Sequence, residues 1–299
     1  MENFIIILSY LVIGMGLRRV PKFPAETANV LNLYVIYVCL PALALLKIPE
    51  LEFSRQLLVP VLMPWGMLAF SALLILATSR FCRWDQRTTG ALMLLIPMGN
   101  TSFLGIPMVR AFFGDDGVPF AVLYDQLGSF LALSTYGTVI LAYYSGAGTV
   151  SAKEVATRIM TFPPFIALML AALVFRNVAY PQAVATLLSS LATTLVPVVM
   201  IAVGFQLRLR LQADLWQPLG IGLGVKLVVA PLAALALCRL LGSNSMAAQV
   251  SVLEAGMPPM ISAGAMAIMA GLSPQLTAAL VGLGIVVSFI TLPLLHAII

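Results

Sequence analysis

A chain of 299 residues in which 61% are hydrophobic and 9% are charged, with a mean hydropathy of +1.05, is too apolar for a water-soluble globular domain and reads as a polytopic membrane protein. At roughly 20 residues per crossing the length holds about ten membrane helices and no separate soluble domain. The net charge of +5 is spread over short loops instead of forming a patch, which argues against a nucleic-acid partner and makes the charge a record of topology.

Ten apolar runs follow one another, near 4–17, 28–46, 57–79, 89–113, 119–144, 156–175, 182–206, 216–240, 246–270 and 275–298. The first is followed, not preceded, by Arg18 and Arg19, so it reads as a retained helix and not a cleaved signal peptide. Loops after odd-numbered runs carry Arg18, Arg19, Lys22, Arg80, Arg83, Arg87, Lys153, Arg158, Arg208 and Arg210; loops after even-numbered runs carry only Lys47, Arg55, Arg110, Arg176 and Arg239. The positive-inside rule then puts the odd loops in the cytoplasm and both termini outside. Cys39, Cys82 and Cys238 show no CxxC or histidine pairing, and His296 is the lone histidine, so neither a disulfide framework nor a metal site is expected.

The fourth run is interrupted by Gly99-Asn100-Thr101-Ser102-Phe103-Leu104-Gly105-Ile106-Pro107. Pro107 has no N–H and its ring opposes the carbonyl four residues back, so the helix is expected to break across this stretch. Backbone groups freed at membrane depth survive only buried in protein or beside a polar cavity, which marks the break as a functional site. The ninth run contains a second interruption, Gly256-Met257-Pro258-Pro259, continuing to Gly264.

The two breaks are part of a wider recurrence near 157 residues: Pro24 and Pro181, Pro41 and Pro197, Pro60 and Pro218, Gly99 and Gly256, Gly114 and Gly271. A duplicated unit of five spans enters the second copy upside down. The expected fold is therefore all-α, with ten transmembrane helices in an inverted 5+5 repeat whose broken helices 4 and 9 cross at the midplane. The repeats are expected at 1–144 and 156–299, joined by a cytoplasmic linker at 145–155.

At each break a half-helix presents its positive N-terminal end, suited to a carboxylate. Asn100, Thr101 and Ser102 add polar donors on one side, with Gly105 and Pro107 shaping the turn; Gly256, Met257, Pro258 and Pro259 make the other side apolar. That inequality points to an organic anion with an apolar portion. Charges inside spans are functional candidates by default, here Asp125 (followed by Gln126), Lys226 and Glu254. They either carry a coupling ion, Na⁺ or H⁺, or form an internal salt bridge of Lys226 with Asp125 or Glu254. Arg110 either serves the break or snorkels to the outer interface.

Asn100-Thr101-Ser102-Phe103-Leu104-Gly105-Ile106-Pro107, followed by Arg110 and Gly114, resembles the N-T-x-x-x-G-I-P motif of the auxin efflux carrier family, to which plant PIN-FORMED carriers and bacterial organic-acid permeases belong. Leu31-Asn32-Leu33-Tyr34-Val35 up to Pro41, Val225-Lys226 with Pro231, and Pro258 extend the likeness over nearly the whole chain. The resemblance implies a bacterial inner-membrane homodimer that moves a small organic carboxylate and needs no cofactor. It further implies a dimerising scaffold of helices about 4–46 and 156–206 and a mobile transport domain of helices about 57–144 and 216–298, shifting like an elevator. Asn100 matches the asparagine that faces the substrate carboxylate, and Asp125 and Lys226 match polar positions nearby. The chain departs from plant members in its short linker and in a third span without a carboxylate.

Two other classes compete. An ion- or pH-gated channel needs a continuous polar stripe, whereas most spans are apolar all round. An intramembrane enzyme needs histidine ligands, paired aspartates or a serine with a base, and the spans offer none of these sets.

Overall fold

The computed structural model describes residues 2–51, 54–146, 151–176, 178, 180–207 and 215–299. Arg208 and Arg210, used above for topology, and part of the 145–155 linker lie outside the described residues. Among the described residues the secondary structure is helical, with one isolated β-bridge. The helices are α1 Glu2–Leu17, α2 Thr27–Lys47, α3 Arg55–Cys82, α4 Gln86–Leu95, α5 Thr101–Phe113, α6 Val118–Ser145, α7 Ala152–Met160, α8 Pro163–Leu173, α9 Gln182–Gln206, α10 Trp216–Leu240, α11 Met246–Ala255, α12 Ile261–Met269 and α13 Pro274–His296.

Six of these, α2, α3, α6, α9, α10 and α13, are long and apolar enough to cross a membrane, and the bent pair α7–α8 makes a seventh candidate. The remaining expected spans are short or divided. The first is 16 residues long. The sixth bends by 65° because Pro163 and Pro164 begin α8 and hold Phe162 extended, at ψ 115°. The fourth and ninth are each two half-helices, α4 with α5 and α11 with α12, separated by five non-helical residues.

Three interior prolines sit inside membrane helices with little disturbance, for one reason. Pro41, Pro107 and Pro231 each lie two residues beyond a five-residue π turn, Val35–Cys39, Thr101–Gly105 and Val225–Val229. A π turn bonds i to i+5, so the wider loop takes up the clash and the missing donor that proline brings to an α-helix. This corrects the expected position of the first break. Pro107 lies within α5, along with Thr101, Ser102 and Gly105, and the non-helical stretch is residues 96–100, opened by Pro97 and Gly99.

The chain divides into two compact units. One comprises Met1–Ser54, Ser102–Val122 and Ala156–Leu207. Within it α1 packs along the Leu195–Gln206 half of α9, and α8 packs on the Leu40–Lys47 half of α2. The α1–α9 approach is backbone to backbone: a Cβ on Gly14 would strike the Ile201 carbonyl, and one on Gly204 the Leu11 carbonyl. Arg18 at the end of α1 donates to the Leu207 carbonyl at 2.7 Å, closing the far end of the pair.

The other unit comprises Arg55–Thr101, Leu123–Val155 and Arg208–Ile299. Its core is built on α4, which is buried on every side from Thr88 to Leu95 and packs against α12, α13 and the Thr138–Ser145 end of α6. Asp85 starts α4 by accepting the backbone N–H groups of Arg87 and Thr88 at 2.8 and 3.0 Å. The half-helix α11 is buried just as fully and packs against α3 and the Ala230–Leu240 part of α10. Two fully enclosed half-helices are the condition under which interrupted backbone is tolerated at membrane depth.

Candidate functional site

The two interruptions run past each other in opposite directions, joined at one antiparallel bridge. Gly99 bridges Pro259, the Asn100 N–H donates to the Pro258 carbonyl at 2.8 Å, and the Met260 N–H donates to the Met98 carbonyl at 3.1 Å. Each break thus satisfies backbone groups that the other would leave bare. Helix α4 ends at Leu95 and α5 begins at Thr101; α11 ends at Ala255 and α12 begins at Ile261. The N-terminal ends of α5 and α12 therefore flank the crossing, each with first-turn N–H groups that have no partner within the helix.

The register of these elements differs by three residues from the expected one. Asn100 is matched by Met260, and Gly256 holds the place of Ile96 and not of Gly99. Gly114 and Gly271 keep the 157-residue spacing, both left-handed at φ 72° and 71° and both just past the helix that leaves the break. The second copy is shorter between the crossing and that glycine.

Most of the polar candidates come together at the crossing. Asn100, Thr101, Asp125, Gln126, Lys226 and Glu254 are all buried, none more than 4% exposed. Asp125 lies in the π turn Tyr124–Phe130 of α6, which is held against α3 by two contacts: Gly128 leaves room for the Pro64 ring, and Trp65 Nε1 donates to the Leu127 carbonyl at 3.0 Å. In that position Asp125 accepts from Thr101 Oγ1 at 2.5 Å and from Gln126 Nε2 at 2.6 Å. Lys226, in the π turn of α10, points its ammonium at the Ala255 carbonyl, 3.4 Å away, at the C-terminal end of α11. A cation there is favoured by the helix dipole.

Of the two alternatives for these charges, the contact seen for Lys226 is this carbonyl, and Glu254 makes no hydrogen bond to the Lys226 ammonium. Gly99 makes space for that ammonium; a Cβ there would stand 3.3 Å from Lys226 Nζ. Several buried atoms at the crossing have no hydrogen-bond partner, namely Asn100 Nδ2, Gln126 Oε1 and both carboxylate oxygens of Glu254. Buried polar atoms without partners are uncommon and mark places where a ligand, ion or water completes the set.

Ser102, Gly105 and Pro107 belong, with all of α5 after Thr101, to the unit that contains α1 and α9. Arg110 pairs with Asp115 at 2.7 Å at the end of α5. Met257, Pro258 and Pro259 are buried in the second break. Two polar side chains that the sequence reading passed over, Tyr124 and Ser129, line a small cavity with Gly99, Lys226 and Glu254. Ser129 stands four residues after Asp125, so helical spacing was a signal for it. Met98 and Met260 hold the crossing through a backbone hydrogen bond, which carries no such signal.

Residues 1–296 match the family described as membrane transport protein. The chain is 28% identical over 298 residues to an uncharacterized transporter of Methanothermobacter thermautotrophicus, covering 98% of this chain and 96% of the relative. It is 26% identical over 277 residues to an uncharacterized transporter of Methanocaldococcus jannaschii, covering 86% of this chain and 85% of that relative.

Proposed function

Since the chain belongs to the membrane transport protein family, the auxin efflux carriers, we propose that it is a secondary carrier of a small organic carboxylate. The observation that carries this reading is the antiparallel crossing of Gly99 with Pro259, at which the Asn100 side-chain nitrogen is buried without a partner and Gly99 makes room for the buried Lys226 ammonium. An amide donor, a lone ammonium and two helix N-termini make a site for one carboxylate group. Met257, Pro258 and Pro259 supply an apolar wall for the rest of the molecule. The family and both relatives are transporters, which points away from an enzyme.

The reading includes the inverted repeat and an elevator-like shift. Supporting them, helix, five-residue break and helix recur at an interval of 160 residues, and the whole set from Gly99 to Thr101, Asp125, Lys226, Glu254 and Gly256 to Met260 belongs to one compact unit. It also includes a homodimer formed through helices of the α1, α2, α8 and α9 unit, in a cytoplasmic membrane with both termini outside.

Uptake of labelled mono- and dicarboxylates into proteoliposomes tests the carrier. Saturation and counterflow are expected; conductance without saturation would replace the carrier with a channel.

A further inference from the structure

The most unusual group at the crossing is Glu254. Its side chain is completely buried, and neither carboxylate oxygen has a hydrogen-bond partner among the described residues. It borders a cavity of about 10 Å³. That is roughly the room one water molecule needs. The same cavity is walled by Lys226, Tyr124, Ser129 and Gly99, and α3 contributes only Pro64, Met67 and Leu68 to it.

An ionised carboxylate in such a place lacks both solvation and donors, so the group needs a proton or a cation. A metal cation in this space would sit against the Lys226 ammonium, where like charges repel in a medium that screens little. A proton adds no volume and needs only one oxygen.

We infer that Glu254 is the proton-carrying group of this carrier and that Lys226 is its counter-charge. The carboxylate takes one proton from hydronium: one O–H bond forms on Glu254 as one O–H bond of hydronium breaks, and water is released. The titratable groups facing it are few: Asp125 and the neutral phenol of Tyr124 from α6 and Lys226 from α10, with no titratable side chain of α3 in the cavity. Cys238 and Arg239 of α10 border Ala248 and Gln249, at the opposite end of α11, and α13 carries only His296 in its last turn.

Counting Asp125, which accepts from Thr101 and Gln126, as a carboxylate, the cluster of Asp125, Glu254 and Lys226 has a net charge of −1 when Glu254 is ionised and 0 when it is protonated. Protonation therefore leaves Lys226 free to face an arriving carboxylate. Linkage makes the coupling reciprocal: an anion that binds better to the protonated form raises proton uptake by the same factor. The consequence is symport of one proton with each anion carried, whatever the charge of that anion. This deepens the carrier reading and rests on it for the transport step, though not for the proton site itself.

The test uses the full chain in liposomes. Infrared titration is expected to show a protonated-carboxyl C=O band that disappears as pH rises, that is lost in Glu254→Gln and that persists in Asp125→Asn. A band unchanged by Glu254→Gln overturns the assignment. Should Glu254→Gln fail to fold, Glu254→Asp keeps an acid at the site, and a band with unaltered frequency and midpoint has the same overturning force.

In a second arm, malonate and acetate serve as probes. Their affinity is expected to fall about tenfold per pH unit once Glu254 is ionised and to be flat with pH in Glu254→Gln. A requirement for Na⁺ over K⁺ overturns proton coupling. If neither probe binds while the infrared band behaves as expected, the carboxylate reading fails and the proton site stands.

Discussion

Asn100 does two jobs with one residue. Its backbone N–H locks the crossing through Pro258, and its side-chain amide is left over for something that is not protein. A hydrogen bond to a charged group contributes about 1.5–3 kcal/mol, so Asn100→Ala is expected to weaken carboxylate binding by roughly 10–150-fold while the backbone bond, and hence the fold, remains. Isothermal titration with the transported acid, beside a melting curve of the same sample, separates the two effects; equal affinity removes Asn100 from the site. Lys226→Gln is expected to lose at least tenfold in affinity, because the amide keeps the bond to Ala255 but not the charge. At this scale the candidate site was largely legible in sequence: Asn100, Asp125, Lys226 and Glu254 stand out as polar groups in apolar runs, which cost too much there to be accidental. Their partners were not legible. Met98, Pro258 and Ala255 act through carbonyl oxygens, and a carbonyl is the same on every residue.

Between residues and the whole chain, the helices carry their own devices. The three π turns before Pro41, Pro107 and Pro231 let proline enter a membrane helix without exposing backbone to lipid. Where α1 meets α9 the constraint is steric, and it is strict because the obstacle is backbone. Gly204→Ala is expected to force the pair apart and to lower stability by about 1–3 kcal/mol, seen as a reduced melting temperature in detergent. Gly16, which has open space around it, serves as the comparison: Gly16→Ala should be neutral or mildly stabilising.

The N-terminus of α4 depends on Asp85. Burial raises the carboxyl pKa, but the hydrogen bonds from Thr88 and Arg87 outweigh it and hold the group below its ordinary value. A folded-state pKa lower than the unfolded one gives stability that is present above the unfolded value and lost as pH falls through the folded one. Asp85→Ala is therefore expected to cost about 1 kcal/mol near neutrality and progressively less in acid, a convergence that melting curves across pH would reveal. The element scale is also where the sequence reading misplaced a boundary. Pro107 looked like the breaker because proline usually is; the wider turn that absorbs it depends on how Thr101 to Gly105 are held.

For the whole molecule, the charge asymmetry of the loops gives a direct expectation. In a variant with Cys39, Cys82 and Cys238 replaced by serine, Asp116→Cys should react with an impermeant maleimide in intact cells, and Lys22→Cys only after the membrane is opened. The reverse pattern would invert the topology. Composition alone determined that the chain lives in a membrane, since 61% hydrophobic residues cannot all be hidden inside a 299-residue soluble fold. Proline and glycine spacing alone located two interruptions and paired them across the chain, because those residues act on the backbone wherever they occur. Tertiary structure decided the rest: that Met98 to Asn100 and Pro258 to Met260 pair through backbone hydrogen bonds, that Lys226 turns to the end of α11, and that Glu254 is left without a hydrogen-bond partner beside a water-sized space. Each of those depends on groups more than a hundred residues apart, or on backbone atoms common to every residue, and which of them meet is settled only when the helices pack.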